Sequence, residues 1–109
     1  MQGTTNITVS DIDDSLIEKQ ILLAGRILDL KKLQRKWDKA SMCKFALEDI
    51  TGHIDVMCFV KPYESHKDKI KVGNIVKLTG KVSTDTSAER AVYQIFMQEV
   101  EPLVCINTN

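Results

Sequence analysis

Residues 42–60, MCKFALEDITGHIDVMCFV, alternate apolar and polar positions on either side of a short turn carrying Thr51-Gly52. Strand, turn and strand in so short a span predict a β-hairpin. If paired residue numbers sum to 101, Cys43 sits opposite Cys58 and both face inward. Upstream, Gln20–Leu30 alternates as well. Ile21, Leu23, Gly25 and Ile27 fall on one face, and Ala24 and Arg26 on the other. Gly25 inside that strand marks a bulge or a barrel corner. The second strand runs from about Met42 to Glu48 and the third from His53 to Val60.

The period then changes. In residues 61–71 Pro62 suits a first helical turn, and Tyr63, His66 and Ile70 recur at spacings of three and four. Val72-Gly73-Asn74 supplies a turn into a fourth strand, with Val76, Leu78 and Val82 inside. A polar loop over 84–90 leads to a fifth strand that stops at Pro102. Residues 1–10 read as frayed and 11–19 as a short helix or turn. The division is therefore an N-terminal extension over 1–19, a domain over 20–103 and a tail over 104–109. Three strands, a helix and two strands predict an all-β fold, a five-stranded antiparallel OB-fold barrel with one helix between strands three and four.

At 109 residues the chain has room for one modest core. No run of about 18 apolar residues occurs, so no membrane partner is expected. The polar, acidic start argues against a signal peptide and for a cytoplasmic location. Three cysteines without a CxxC pair and two histidines give no metal site, and none of the five glycines forms a phosphate loop, so no cofactor is expected. His53 and His66 lack a nucleophile with an orienting acid. The chain reads as a binding module with no catalytic residues, not an enzyme in itself.

Net charge is zero, yet its distribution is uneven. Residues 1–30 hold two bases and five acids, whereas residues 31–44 (KKLQRKWDKASMCK) hold six bases and one acid around the single Trp. Screening over roughly 8–10 Å makes the local field, not the total, decide whether phosphates are attracted. A basic segment carrying an aromatic, next to a twisted hairpin, is suited to gripping a nucleic-acid strand.

The segments LLAGRI (22–27), FALEDITGHIDVMCFV (45–60), VGNIVKLTGKV (72–82) and QEVEPL (98–103) resemble the anticodon-binding-type OB domain. The copy in the alpha subunit of bacterial DNA polymerase III is the nearest likeness. Related copies occur in class II aminoacyl-tRNA synthetases and archaeal replication protein A. The resemblance covers about residues 20–103. It implies that nucleic acid crosses the outer face of strands one to three, here Arg26, Met42, Lys44, Met57 and Phe59. One flanking loop would supply Lys31, Lys32, Arg35, Lys36, Trp37 and Lys39, and a second Lys81 and Arg90. Lys44 stands where many relatives carry an aromatic that stacks on a base, a loss of about 1–3 kcal/mol per base. Trp37 and Phe59 remain as platforms. Backbone-led binding of single-stranded DNA, in replication or repair, is the reading that follows, within or related to a replicative polymerase alpha subunit.

Each feature also has a plainer reading. Trp37 covers the barrel mouth or belongs to a loose loop, the lysines form a solvated loop, and Phe59 packs half-buried against the helix. Asp49 reads as a turn-fixing side chain. Two rival functions stay open: a barrel that docks other replication proteins or flanking domains, and a tRNA- or RNA-binding domain.

Overall fold

A computed structural model describes residues 5–85 and 92–104. Among the described residues six strands occur: β1 (Thr5–Asn6), β2 (Gln20–Gln34), β3 (Ser41–Asp49), β4 (Gly52–Cys58), β5 (Ile75–Asp85) and β6 (Val92–Val104). One α-helix, α1 (Val60–His66), follows β4, and a 3-10 turn over Lys67–Lys69 extends it. The neighbour order β2-β3-β4-β6-β5, with β5 pairing back onto β2, closes the sheet into a five-stranded barrel. Every barrel pairing is antiparallel except β4 with β6, which is parallel over Asp55–Met57 and Gln94–Phe96. This is the expected OB-fold, with its helix between the third and fourth barrel strands.

Alternation builds the core. Ile21, Leu23, Ile27, Phe45, Leu47, Val56, Val76, Leu78, Val82 and Ile95 point into the barrel and are buried. At about 25 cal/mol per Å² of apolar surface, such burial is the main force holding the barrel closed. The hairpin register follows the predicted sum, with Cys43 opposite Cys58 and Phe45 opposite Val56. Both thiols are buried and free. Their mutual hydrogen bond and burial push the Cys58 thiol far up.

Two glycines occupy places where no side chain fits. A Cβ on Gly25 would stand 2.5 Å from the Glu48 carbonyl oxygen, and one on Gly80 would stand 2.6 Å from Ile95 and the Phe96 carbonyl. Gly80 also lies at a register shift between β5 and β6. Gly73, at φ 94°, closes the turn in which the Asn74 N–H donates to the Lys71 carbonyl at 3.1 Å.

The structure departs from the sequence expectations at several boundaries. β2 continues to Gln34 rather than ending at Leu30, so much of the basic connector is strand. β6 passes through Pro102, which pairs with Val76 beside a register shift, where a missing N–H costs least. The helix is shorter than 61–71 and tightens into a 3-10 turn. The N-terminal segment is not frayed from Thr5 onward. β1 pairs parallel with Ile21 and Leu22, and Ile7, Val9, Ile12, Leu16 and Ile17 pack on the core. Residues 1–4 lie outside the described residues.

One irregularity positions everything that follows. Between Leu28, opposite Ala46, and Lys31, opposite Lys44, β2 spends one residue more than β3. This bulge holds Asp29 at φ 53°, a left-handed conformation that Asp tolerates better than most residues. Without the extra residue, side-chain parity would put Lys31 on the inner side; with it, Lys31 joins the outer face.

Candidate nucleic-acid interface

The outer face of the barrel carries a cross-strand row: Lys31, Lys44, Met57, Phe96 and Lys81, each opposite the next. Lys31 and Lys44 are direct antiparallel neighbours and both are exposed. Like charges opposed in this way repel and reduce stability. Asp55, two residues from Met57 along β4, offsets part of that repulsion, with its carboxylate 3.7 Å from the Lys44 Nζ. Two cations and one acid leave an excess of positive charge at this point of the face.

Aromatic surface adjoins the cations. Phe59 follows the end of β4, is 42% exposed, and meets Phe96 edge-on with ring centroids 5.1 Å apart. The two rings and Met57 give an apolar platform against which a base can lie. Phe96 was not among the sequence candidates. Its alternation with buried Ile95 and Met97 was readable, but its place beside Met57 depends on the parallel closure of β4 onto β6.

The connector between β2 and β3 is an ordered hairpin tip. The Arg35 N–H donates to the Ala40 carbonyl at 2.9 Å, and the Lys39 N–H donates to the Arg35 carbonyl at 2.8 Å. Lys39 adopts φ 60° to complete the turn. The Arg35 guanidinium forks onto Asp38 through Nε and Nη2, while the Ala40 N–H donates to Asp38 Oδ1 at 3.0 Å. Those bonds, led by the one from Arg35, hold the Asp38 carboxyl below the usual carboxylate range. The same guanidinium lies 4.2 Å from the centre of the Trp37 ring, which remains 77% exposed. Arg35 is thus a support for Trp37, and a cation–π contact of this kind steadies an exposed ring. Lys36 and Lys39 are exposed at the tip.

The remaining candidates separate. Arg26 is exposed on the outer face opposite Glu48. Lys81 lies within β5 rather than in a loop, and its Nζ is 4.0 Å from Glu18. Met42 is half-buried opposite Leu33. Lys32 pairs with Cys43, on the side of the sheet away from Lys31. Arg90 lies outside the described residues. Arg26, Lys31, Lys44, Met57, Phe59 and Lys81 all lie on the outside of the closed barrel, with Lys31, Lys44 and Met57 in direct succession and Lys81 farther round it on β5, whereas Lys32 is on the other side of its strand.

At the other end of the hairpin, Asp49 acts as the expected turn-fixing group and more. It accepts from the Thr51 N–H at 2.7 Å and, across forty positions of chain, from the Val9 N–H at 2.9 Å. Burial opposes ionisation there, but the Thr51 hydroxyl and the backbone donors hold its carboxyl below the usual range. Among the described residues, no group of three His, Cys, Asp or Glu is placed to hold a metal ion. No helix there is long and apolar enough to cross a membrane.

Comparison with known proteins bears on the family and the fold. Residues 21–103 match the tRNA-anticodon-type family described as OB-fold nucleic acid binding domain, and the chain belongs to that family. A 70-residue stretch is 27% identical to the DNA polymerase III subunit alpha of Borreliella burgdorferi, covering 64% of this chain and 6% of that protein. An aspartyl-tRNA synthetase from Entamoeba histolytica superposes with a TM-score of 0.74 at 11% identity, over 97% of this chain and 22% of that one. A putative aspartyl-tRNA synthetase from Leishmania major gives 0.71 at 18% identity, over 95% and 21%. At those identities the structural likeness speaks for the fold alone. The chain spans a small fraction of each of these proteins.

Proposed function

We propose that this barrel captures single-stranded nucleic acid across the outer face of β2, β3 and β4, with DNA in replication or repair as its working partner. The opposed Lys31 and Lys44 beside Met57, Phe96 and Phe59 carry the reading. Phosphates relieve the lysine repulsion while bases lie on the apolar platform, and Trp37 at the hairpin tip adds a second stacking surface. The mechanism is capture: no group on this face is arranged to break a bond. The similarity to a polymerase III alpha subunit supports the DNA assignment.

A second reading has its own support. The family the chain belongs to is of the tRNA-anticodon type, and the solved structures that share its fold include tRNA synthetases, which fits RNA as the partner. Titrating matched single-stranded DNA and RNA oligomers at several salt concentrations separates the two. Three to five phosphate contacts give a log–log slope of about −2 to −3.5. DNA binding as tight as RNA binding or tighter supports the first reading, and a clear RNA preference supports the second. Absence of binding to either at low salt overturns both.

A further inference from the structure

A cationic groove lies on the side of β2 opposite the outer face. The bulge at Asp29 that turns Lys31 outward turns Lys32 to the opposite side of β2. There a depression of about 400 Å³ brings Lys32 together with Lys67 and Lys71, over a floor that includes buried Ile70 and half-buried Tyr63. Asp68 is the one acid on its wall. All three lysines are exposed, and none lies in a salt bridge among the described residues. On the outer face, by contrast, Lys44 and Lys81 face acids.

The groove and the outer face share a rim. β2 pairs with β5 only as far as Arg26, and Ile27 then bonds to Gly73 and Asn74. From Lys31 to Gln34 its ladder partner is β3 alone, so Lys31 and Lys32 flank one edge from opposite sides. Lysines on an edge strand commonly guard it against pairing with another chain. That role accounts for Lys31 and Lys32. It does not account for Lys67 and Lys71, which belong to the segment after α1 and converge on the same depression.

We propose that the Lys32–Lys67–Lys71 groove binds backbone phosphates of the strand held on the outer face, after the strand has turned over the β2 edge. This rests on the reading of the outer face as a nucleic-acid site and extends its footprint. A short oligomer would fill the outer face alone, and a longer one would reach the groove. Footprints of about 4–16 nucleotides per OB barrel leave room for both.

The test compares oligomers of about 6 and about 15 nucleotides on the wild-type chain and on the triple variant Lys32→Glu, Lys67→Glu, Lys71→Glu. The expected result is unchanged affinity for the short oligomer and a roughly tenfold or greater loss for the long one. The salt slope for the long oligomer should become shallower by about 1.4, the share of two phosphates. The neutral triple variant with Gln at the three positions serves if charge reversal disturbs folding, as judged by circular dichroism, and predicts a smaller loss in the same direction. Equal long-oligomer affinity and slope in wild type and folded variant would overturn this inference and leave the outer face standing. Equal loss for both oligomers would also overturn it, because the lysines would then act through overall charge. Failure of wild type to bind either oligomer would overturn the outer-face reading and the groove with it.

Discussion

The two halves of β2 are one continuous strand put to different uses. Gln20–Arg26 pairs residue by residue with β5, and its inward side chains Ile21 and Leu23 are fully buried. Lys31–Gln34 pairs with β3 alone and carries exposed lysines on both of its sides. The first half is consistent at every level, with strand alternation, full burial and a glycine where the Glu48 carbonyl comes close. The second half tolerates a left-handed Asp29 and an opposed lysine pair, both of which cost stability. Local unfavourable choices gathered in one stretch, beside a half that has none, fit the proposed binding role as well as protection of the β2 edge.

The largest effect that would break this comparison belongs to the closed half. Leu23→Ala removes a fully buried side chain and should lower unfolding stability by about 2–5 kcal/mol. Urea denaturation measures it. Nucleic-acid affinity, read well below the unfolding midpoint, should remain within about twofold, since Leu23 touches only the interior. A loss of affinity in the folded variant would mean that the two halves are not separable.

The open half should respond the other way. Trp37→Ala is expected to weaken single-strand binding by about 1–3 kcal/mol, the usual worth of one stacking platform, with unfolding shifted by less than about 0.5 kcal/mol. Lys31→Glu sharpens the contrast. It replaces a repelling cross-strand pair with an attracting one, so stability should rise by a few tenths of a kcal/mol while affinity falls. A variant that lost both stability and binding would show that the lysine pair is structural.

How much of this could be seen in the sequence follows the same division. The closed half was legible because period-two alternation at Ile21, Leu23 and Ile27 reports burial directly. The Cys43–Cys58 register was legible for the same reason, helped by a tight turn that fixes it. The open half was misjudged as loop because Leu28, Leu30 and Leu33 break the two-residue period. A bulge does that without ending the strand. Asp29, a residue type that tolerates positive φ, was the available sign. Lys31 and Lys32 consequently looked like one cluster, although one extra residue sends them to opposite sides. Phe96 was missed for a different cause: local pattern places it outward, but only the long-range parallel pairing of β6 with β4 decides what it stands beside. The N-terminal segment was undervalued because Ile7, Val9, Ile12, Leu16 and Ile17 follow no single period while they pack over a curved end.

Two carboxylates give the finest test of the same contrast. Asp49 and Asp38 are both held below the usual range by hydrogen bonds. Asp49 ties the Val9 amide to the β3–β4 turn, joining distant parts of the closed region, whereas Asp38 bonds only within its own hairpin tip. A carboxyl whose folded pKa is depressed stabilises the fold above its unfolded value of about 3.9 and loses that contribution as pH falls through the lower folded value. Asp49→Ala should therefore cost about 1–2 kcal/mol near neutral pH, with the gap to wild type narrowing below about pH 4. Asp38→Ala should shift the unfolding midpoint in the same pH direction but by clearly less than Asp49→Ala, because the bonds it breaks close a loop of six residues and no more. Its effect should appear in Trp37 fluorescence and in a modest loss of affinity, as Arg35 is released from its fork and no longer steadies the ring. Equal shifts in unfolding midpoint for the two variants would refute the division between a closed frame and an independently built tip.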